Sequence, residues 1–247
     1  MNSILKMCYN GNRNIICLLQ WNVMVLCGLL FVSPIKGQTN PHIWLRTTLS
    51  VKDRHEIRYD FEYQNRLIID TDAPIQDNTY LASSRLWISY SPLKDLKVSF
   101  SPFAYFHHTK YIEGNDTITK KHSYEYRNSV AVDYPFIKHH SIKLYDRLAI
   151  EGRFFSNQTS TVRYRNRIGM DVTLTPKITL KPFYELLLFS DGIDHIQFDQ
   201  QRFNLGIKHN LSNHIQMEWG YMLLLKGSQN NANARENNMY ANLTYNF

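Results

Sequence analysis

The chain has 247 residues, with 28 Lys+Arg against 21 Asp+Glu for a formal charge of +7, and carries 16 Tyr, 13 Phe and 4 Trp. That length allows one large domain or two small ones. The few, scattered Gly and Pro residues exclude a collagen-like or low-complexity architecture.

The first 37 residues stand apart. Lys6 and Arg13 precede an apolar run from Ile15 to Val32, which Gln20 and Asn22 interrupt. A basic start, an apolar centre and a small residue at Gly37 read as a secretory signal peptide over 1–37, with the remaining domain at 38–247. An uncleaved anchor is the alternative, and the run is short for a membrane span. Cys8, Cys17 and Cys27 all lie in this leader. Disulfides, cysteine-ligated zinc and thiol nucleophiles are therefore excluded from the rest of the chain.

From there the sequence alternates. After a first segment at about 42–51 comes "HEIRYDFEYQNR", where Ile57, Tyr59, Phe61 and Tyr63 oppose Glu56, Arg58, Asp60, Glu62 and Gln64. Segments at about 79–90 and 95–108 follow. In "SYEYRNSVAVDY", Tyr124, Tyr126, Val130 and Val132 oppose Glu125, Arg127, Ser129 and Asp133. After about 138–154, "TVRYRNRIGMDVTL" sets Val162, Tyr164, Ile168 and Met170 against Arg163, Arg165, Arg167 and Asp171. Runs at about 178–190 and 199–209 lead to "HIQMEWGYMLLL", and the last covers about 236–247. A period of two over so many segments predicts antiparallel strands.

Short connections ("VKDR", "SPLKD", "PFIKHH", "TPK", "LSNH") alternate with longer polar ones ("LIIDTDAPIQDN", "TKYIEGNDTITKK", "SDGIDHIQFDQ", "KGSQNNANARE"), with "SNQTS" between the two classes. That asymmetry belongs to outer-membrane barrels. Strands of roughly 10–14 residues exceed the usual soluble length of about 5–6 and suffice for a tilted membrane crossing. The expected fold is all-β: a closed, antiparallel, up-and-down transmembrane β-barrel of about 10–12 strands. Its apolar side faces lipid and its charged side a narrow lumen. Eleven segments are visible, whereas single-chain bacterial barrels normally have an even number; either 42–51 is not a full wall strand or a twelfth has escaped notice. The ending "MYANLTYNF" places Leu243, Tyr245 and Phe247 in alternating register, a signal of the kind read by barrel-assembly machinery.

At "LYDRLAIEGRF", "RYRNRIGMDV", "KPFYELLLF", "FDQQRFNLGIKHNLSNHIQMEWGYML" and "NLTYNF" the chain resembles the domain of unknown function 2490 family, over roughly Trp44 to Phe247. The resemblance implies an exported outer-membrane barrel of the type abundant in Bacteroidota, and no catalytic residues.

The lumen-facing candidates are Arg58, Asp60, Glu62, Glu125, Arg127, Glu151, Arg163, Arg165, Arg167, Asp171, Glu185, Arg202 and Glu218, with Glu56, Arg85, Lys97, Asp133, Arg147, Arg153, Lys181 and Lys208 on the same face. Arg163, Arg165 and Arg167 could form a ladder along an anion path. The favoured reading is that they pair with Glu125, Glu151, Asp171 and Glu185 on neighbouring strands. Mixed charge points to a plugged or narrow lumen.

Neighbours on a strand face opposite sides, so His107–His108 and His139–His140 are not expected to share a metal. Ser123 beside His122 fails as a nucleophile–base pair for the same reason, and no G-x-S-x-G or HExxH occurs. No cofactor is expected. The expected partners are outer-membrane lipid, lipopolysaccharide and a small polar solute, not nucleic acid. The function read from the sequence is a narrow channel or an envelope structural protein. The alternatives are a membrane lipid or acyl hydrolase with a site built from several strands, and a soluble periplasmic lipid-binding barrel.

Overall fold

A backbone that crosses hydrocarbon must pair every peptide group, and this one does so by closing a sheet on itself. The computed structural model describes residues 41–68, 79–113, 118–192, 195–227 and 234–247; the signal peptide expected over 1–37 lies outside the described residues. The strands are β1 (Pro41–Lys52), β2 (Arg58–Ile68), β3 (Thr79–Leu93), β4 (Leu96–Glu113), β5 (Ile118–His139), β6 (Ile142–Phe155), β7 (Thr161–Thr175), β8 (Ile178–Ser190), β9 (Ile196–Asn210), β10 (Ile215–Lys226) and β11 (Ala234–Asn246). Strands consecutive in sequence pair antiparallel, and β1 pairs with β11 to close the barrel.

Eleven strands fall inside the expected range, but the even count does not hold. Segment 42–51 is a full wall strand, laddered to β2 on one side and β11 on the other. An odd number of alternating strands sends the first and last in the same direction. The closing seam is therefore parallel, from Pro41↔Asn237 to Ser50↔Asn246.

Short turns at 53–57, 94–95, 140–141, 176–177 and 211–214 gather at one end. Local side chains shape them. Asp53 Oδ1 accepts from the His55 and Ile57 amides at 2.8 and 2.9 Å, with Glu56 at φ 65°. Thr175 Oγ1 and Ser212 Oγ serve the β7–β8 and β9–β10 turns in the same way. Glu56 is thus a turn residue ion-paired with Lys52, not a lumen residue. At the other end, two of the expected long loops prove largely strand. β4 and β5 have 18 and 22 residues, more than the roughly 9–11 a bilayer crossing needs. The outer part of β5, from Ile118 to Ser123, pairs with β4 alone, so this hairpin rises beyond its neighbours.

The two faces separate cleanly. Tyr59, Phe61 and Tyr63 on β2, Leu148 and Ile150 on β6, and Trp219 and Tyr221 on β10 are exposed. So large a continuous apolar exterior is what a lipid-facing wall requires and a water-facing one avoids. Aromatic rings cluster toward its ends: Tyr105–Tyr124 (5.9 Å) and Tyr126–Phe154 (6.0 Å) near the long connections, Tyr245–Phe247 (4.8 Å) near the short turns. The inward face carries Asp60, Gln64, Glu125, Arg127, Glu151, Arg163 and Glu185, all buried. Alternation breaks once on β4, where a bulge between Ser101 and Ala104 accommodates Pro102 and shifts the phase by one.

Some inward residues are apolar. Trp44, Met222, Leu224 and Tyr240 form one cluster, Leu81, Ala104 and Phe106 a second, and Trp87 with Ala131 and Ala149 a third.

Leu148 lies at mid-strand on β6 and is 56% exposed. Leu148→Arg should destabilise the protein by about 2–4 kcal/mol in lipid vesicles. Urea unfolding measures this, and an unchanged midpoint would place the residue off the lipid face.

Candidate functional site: an arginine-rich barrel interior

Three glutamates organise the interior. Glu125, Glu151 and Glu185 are 1%, 0% and 1% exposed, each surrounded by cations from several strands. Glu125 meets Arg127 Nε and Arg153 Nε, both at 2.5 Å, and His108 Nε2 at 3.0 Å. Glu151 receives Arg165 Nη1 at 2.8 Å and Arg85 Nη2 at 3.3 Å, with Arg163 Nη1 at 3.8 Å. Glu185 holds Arg165 Nη2 at 2.7 Å, and Arg167 Nη2 and Arg202 Nη1 at 3.0 Å. Arg165 therefore bridges two of the three glutamates. A buried carboxylate is tolerable only with several such partners, because desolvating it alone costs far more than one partner returns.

The remaining sequence-derived candidates surround this lattice. Arg163 Nη2 reaches Asp199 at 2.7 Å, a partner that spacing alone did not suggest. Arg58 pairs with Asp60 at 2.7 Å, and Glu62 with Arg46 at 3.5 Å. Toward the short turns, Arg147 donates to both oxygens of Asp133 at 2.8 and 3.0 Å. Lys181 lies 3.3 Å from Asp171 and 3.9 Å from Glu218. Two of the expected pairings are absent from the observed contacts: Glu125 is served by Arg127 and Arg153, not by the β7 arginines, and Asp171 by Lys181.

Aromatic planes support several guanidiniums. Arg66 lies 3.6 Å over Trp44, Arg127 3.7 Å over Phe106, and Arg167 4.3 Å over Phe183. Two tyrosines cross the interior at glycines. Tyr145 covers Gly169, where a Cβ would stand 2.3 Å from the ring. The Tyr240 hydroxyl sits over Gly206, where a Cβ would fall 2.0 Å away; it donates to Glu218 at 3.2 Å and accepts from Asn204 at 3.1 Å.

Among the described residues, two cavities adjoin inside the barrel. The first, about 290 Å³, lies among Trp44, Arg66, Trp87, Arg127, Arg163 and Arg202. The second, about 320 Å³, lies toward the short turns among Asp95, Lys97, Asp133, Lys143 and Asp171. Tyr145, Arg147, Arg167 and Lys181 belong to both walls.

The histidines divide. His107 faces outward onto His122 at 3.0 Å while His108 turns inward to Glu125, as strand geometry requires. His139 and His140 depart from it: their ring nitrogens lie 3.0 Å apart because His140, at φ 47°, is in the turn. No metal-holding group of three or more His, Cys, Asp or Glu occurs among the described residues.

The match to known families falls on this same wall. The family model "Protein of unknown function (DUF2490)" matches residues 42–238. The chain belongs to that family. DUF2490 membership covers every strand that contributes to the glutamate lattice. A comparison with curated proteins finds no match. Among solved structures, the chain is similar to in-vitro folded OmpT, an outer membrane protein of Vibrio cholerae. The identity is 12% and the TM-score 0.37, over 72% of this chain and 57% of that one. The loop L8 deletion mutant of the same protein gives 11% identity and 0.37 over 69% and 57%. The DUF2490 chain thus aligns with little more than half the length of those barrels.

Removing the Glu185 charge should be costly. Glu185→Gln leaves three guanidiniums around a neutral amide and should destabilise by about 3–5 kcal/mol. Glu218→Gln, at a partly open position with a looser partner, should cost under about 1 kcal/mol. Equal unfolding midpoints for the two variants would mean the lattice is not the interior's main constraint.

Proposed function

We propose that this DUF2490 protein is a narrow channel for small polar solutes in the outer membrane of a Gram-negative bacterium. The leader over 1–37 would export it, and an ending at Phe247 would be read by the assembly machinery. The observation that carries this reading is the pair of cavities, of about 290 and 320 Å³, sharing four wall residues. A solute moving along the lumen would pass from one to the other beside Tyr145, Arg147, Arg167 and Lys181. Tyr145 lies over Gly169, so its ring fills space at the wall the two cavities share.

A structural role in the envelope is the second reading. The lattice of Glu125, Glu151 and Glu185 favours it, since each carboxylate is already held by two or three arginines.

Planar bilayers separate the two. The folded chain should give small, discrete conductance steps, and Tyr145→Ala should enlarge them. Silence from protein whose fold is verified by heat-modifiable gel migration would leave the structural role. Calcium-stimulated release of fatty acid from lipid would instead indicate the hydrolase.

A further inference from the structure

The cavity of about 290 Å³ is far more basic than the chain around it. Nine arginines and one lysine line it, against two carboxylate side chains, Glu62 and Glu218. Around the three buried glutamates and Asp199 stand seven arginines (residues 85, 127, 153, 163, 165, 167 and 202), so ion pairing inside the protein leaves positive charge over.

The surplus has a direction. Arg46, Arg66, Arg85, Arg163, Arg165 and Arg202 each keep a buried Nε–H with no hydrogen-bond acceptor, and all six line this one cavity. Arg163 is the sharpest case. It is 6% exposed, its Nη2 is committed to Asp199, and its Nε has no acceptor. Arg66 is held flat over Trp44 and has no carboxylate partner among the described residues. Buried donors without acceptors are destabilising, and native interiors rarely keep several together unless something supplies oxygen atoms. Guanidinium forks fixed on aromatic planes match phosphate and carboxylate oxygens two at a time.

We propose that this cavity is a binding site for a small polyanion bearing phosphate or carboxylate groups. Arg46 and Arg66 on β1 and β2 and Arg163 and Arg202 on β7 and β9 are its ligands. Arg66 and Arg163 stand on opposite sides of the closed strand order, so a ligand with charge at both ends bridges the lumen. A volume of about 290 Å³ admits a few-carbon di- or tricarboxylate or one or two phosphates, and not a polysaccharide. The site rests on the channel reading above and deepens it by giving the solute a charge.

Calorimetric titration of the full chain in detergent micelles tests this with three probes: citrate, inorganic pyrophosphate and neutral trehalose. One or both polyanions should bind, telling carboxylate from phosphate preference, while trehalose should not. Added salt should weaken binding. Arg66→Gln should weaken it about tenfold. Lys138→Gln, on the Asp95 pair outside this cavity, should leave it unchanged. Arg46→Gln provides a second variant should Arg66→Gln fail to show heat-modifiable migration. Folded protein that binds neither polyanion, or two folded variants that bind as tightly as the parent, would overturn the site. Binding by a protein silent in bilayers would end the channel reading and keep the site; conductance without binding would do the reverse.

Discussion

Closure of the sheet is the constraint from which the rest of this structure follows. In hydrocarbon an unpaired strand edge leaves peptide groups unsatisfied at several kcal/mol each, so β1 must find β11 whatever its direction. With eleven strands the direction is parallel, and parallel ladders are slightly weaker per residue than antiparallel ones. The interior compensates at that place. Trp44 of β1, Tyr240 of β11, and Met222 and Leu224 of β10 form an apolar cluster across the inside of the seam. The final residue adds a last tie, as the Phe247 amide donates to Ser50 O at 3.0 Å.

Closure also decides what the interior must contain. An eight-stranded barrel is just filled by its side chains, and eleven strands enclose more room than short residues can occupy. The interior is crossed by the longest side chains available. Arg85 reaches from β3 to Glu151 on β6, and Arg163 from β7 to Asp199 on β9. Such reach needs a charged end to be worth its ordering entropy. It also leaves the surplus of guanidinium described above, because each glutamate engages two or three arginines while lying almost wholly buried itself. The basic interior and the wide wall are two aspects of one packing solution.

Much of this was legible. The two-residue period marked all eleven strands and separated Tyr59, Phe61 and Tyr63 from Arg58, Asp60 and Glu62. Arg66 continues the phase of Arg58, Asp60, Glu62 and Gln64, and Arg46 lies in phase with Trp44, so both could have been assigned inward from the alternation. Phe106 could not. The bulge between Ser101 and Ala104 reverses the phase of β4, and uninterrupted alternation would send Phe106 to lipid. Partners between strands that are not neighbours were equally hidden, since a pair such as Arg85–Glu151 depends on barrel closure and not on local register. Alternation predicts a face without predicting volume, so it does not single out the inward aromatics Trp44, Trp87 and Tyr240.

Volume is where the glycines matter. Gly206 and Gly220 are register partners on β9 and β10, and the Tyr240 phenol from β11 lies across them; Gly169 on β7 does the same for Tyr145 of β6. A side chain at Gly169 or Gly206 would push a tyrosine toward the axis and into the space that remains, and one at Gly220 would strike the β9 backbone at Leu205 and Gly206. Gly169 and Gly206 therefore control lumen width through the ring above each. The two cavities, of about 290 and 320 Å³, are what is left after these rings and the arginines are seated. Spaces of that size suit single small solutes and not the broad aqueous passage of 16- to 18-stranded porins. The walls of these spaces are set by guanidinium forks and aromatic planes, so what the interior presents is charge and hydrogen-bond geometry, with size as the outer limit.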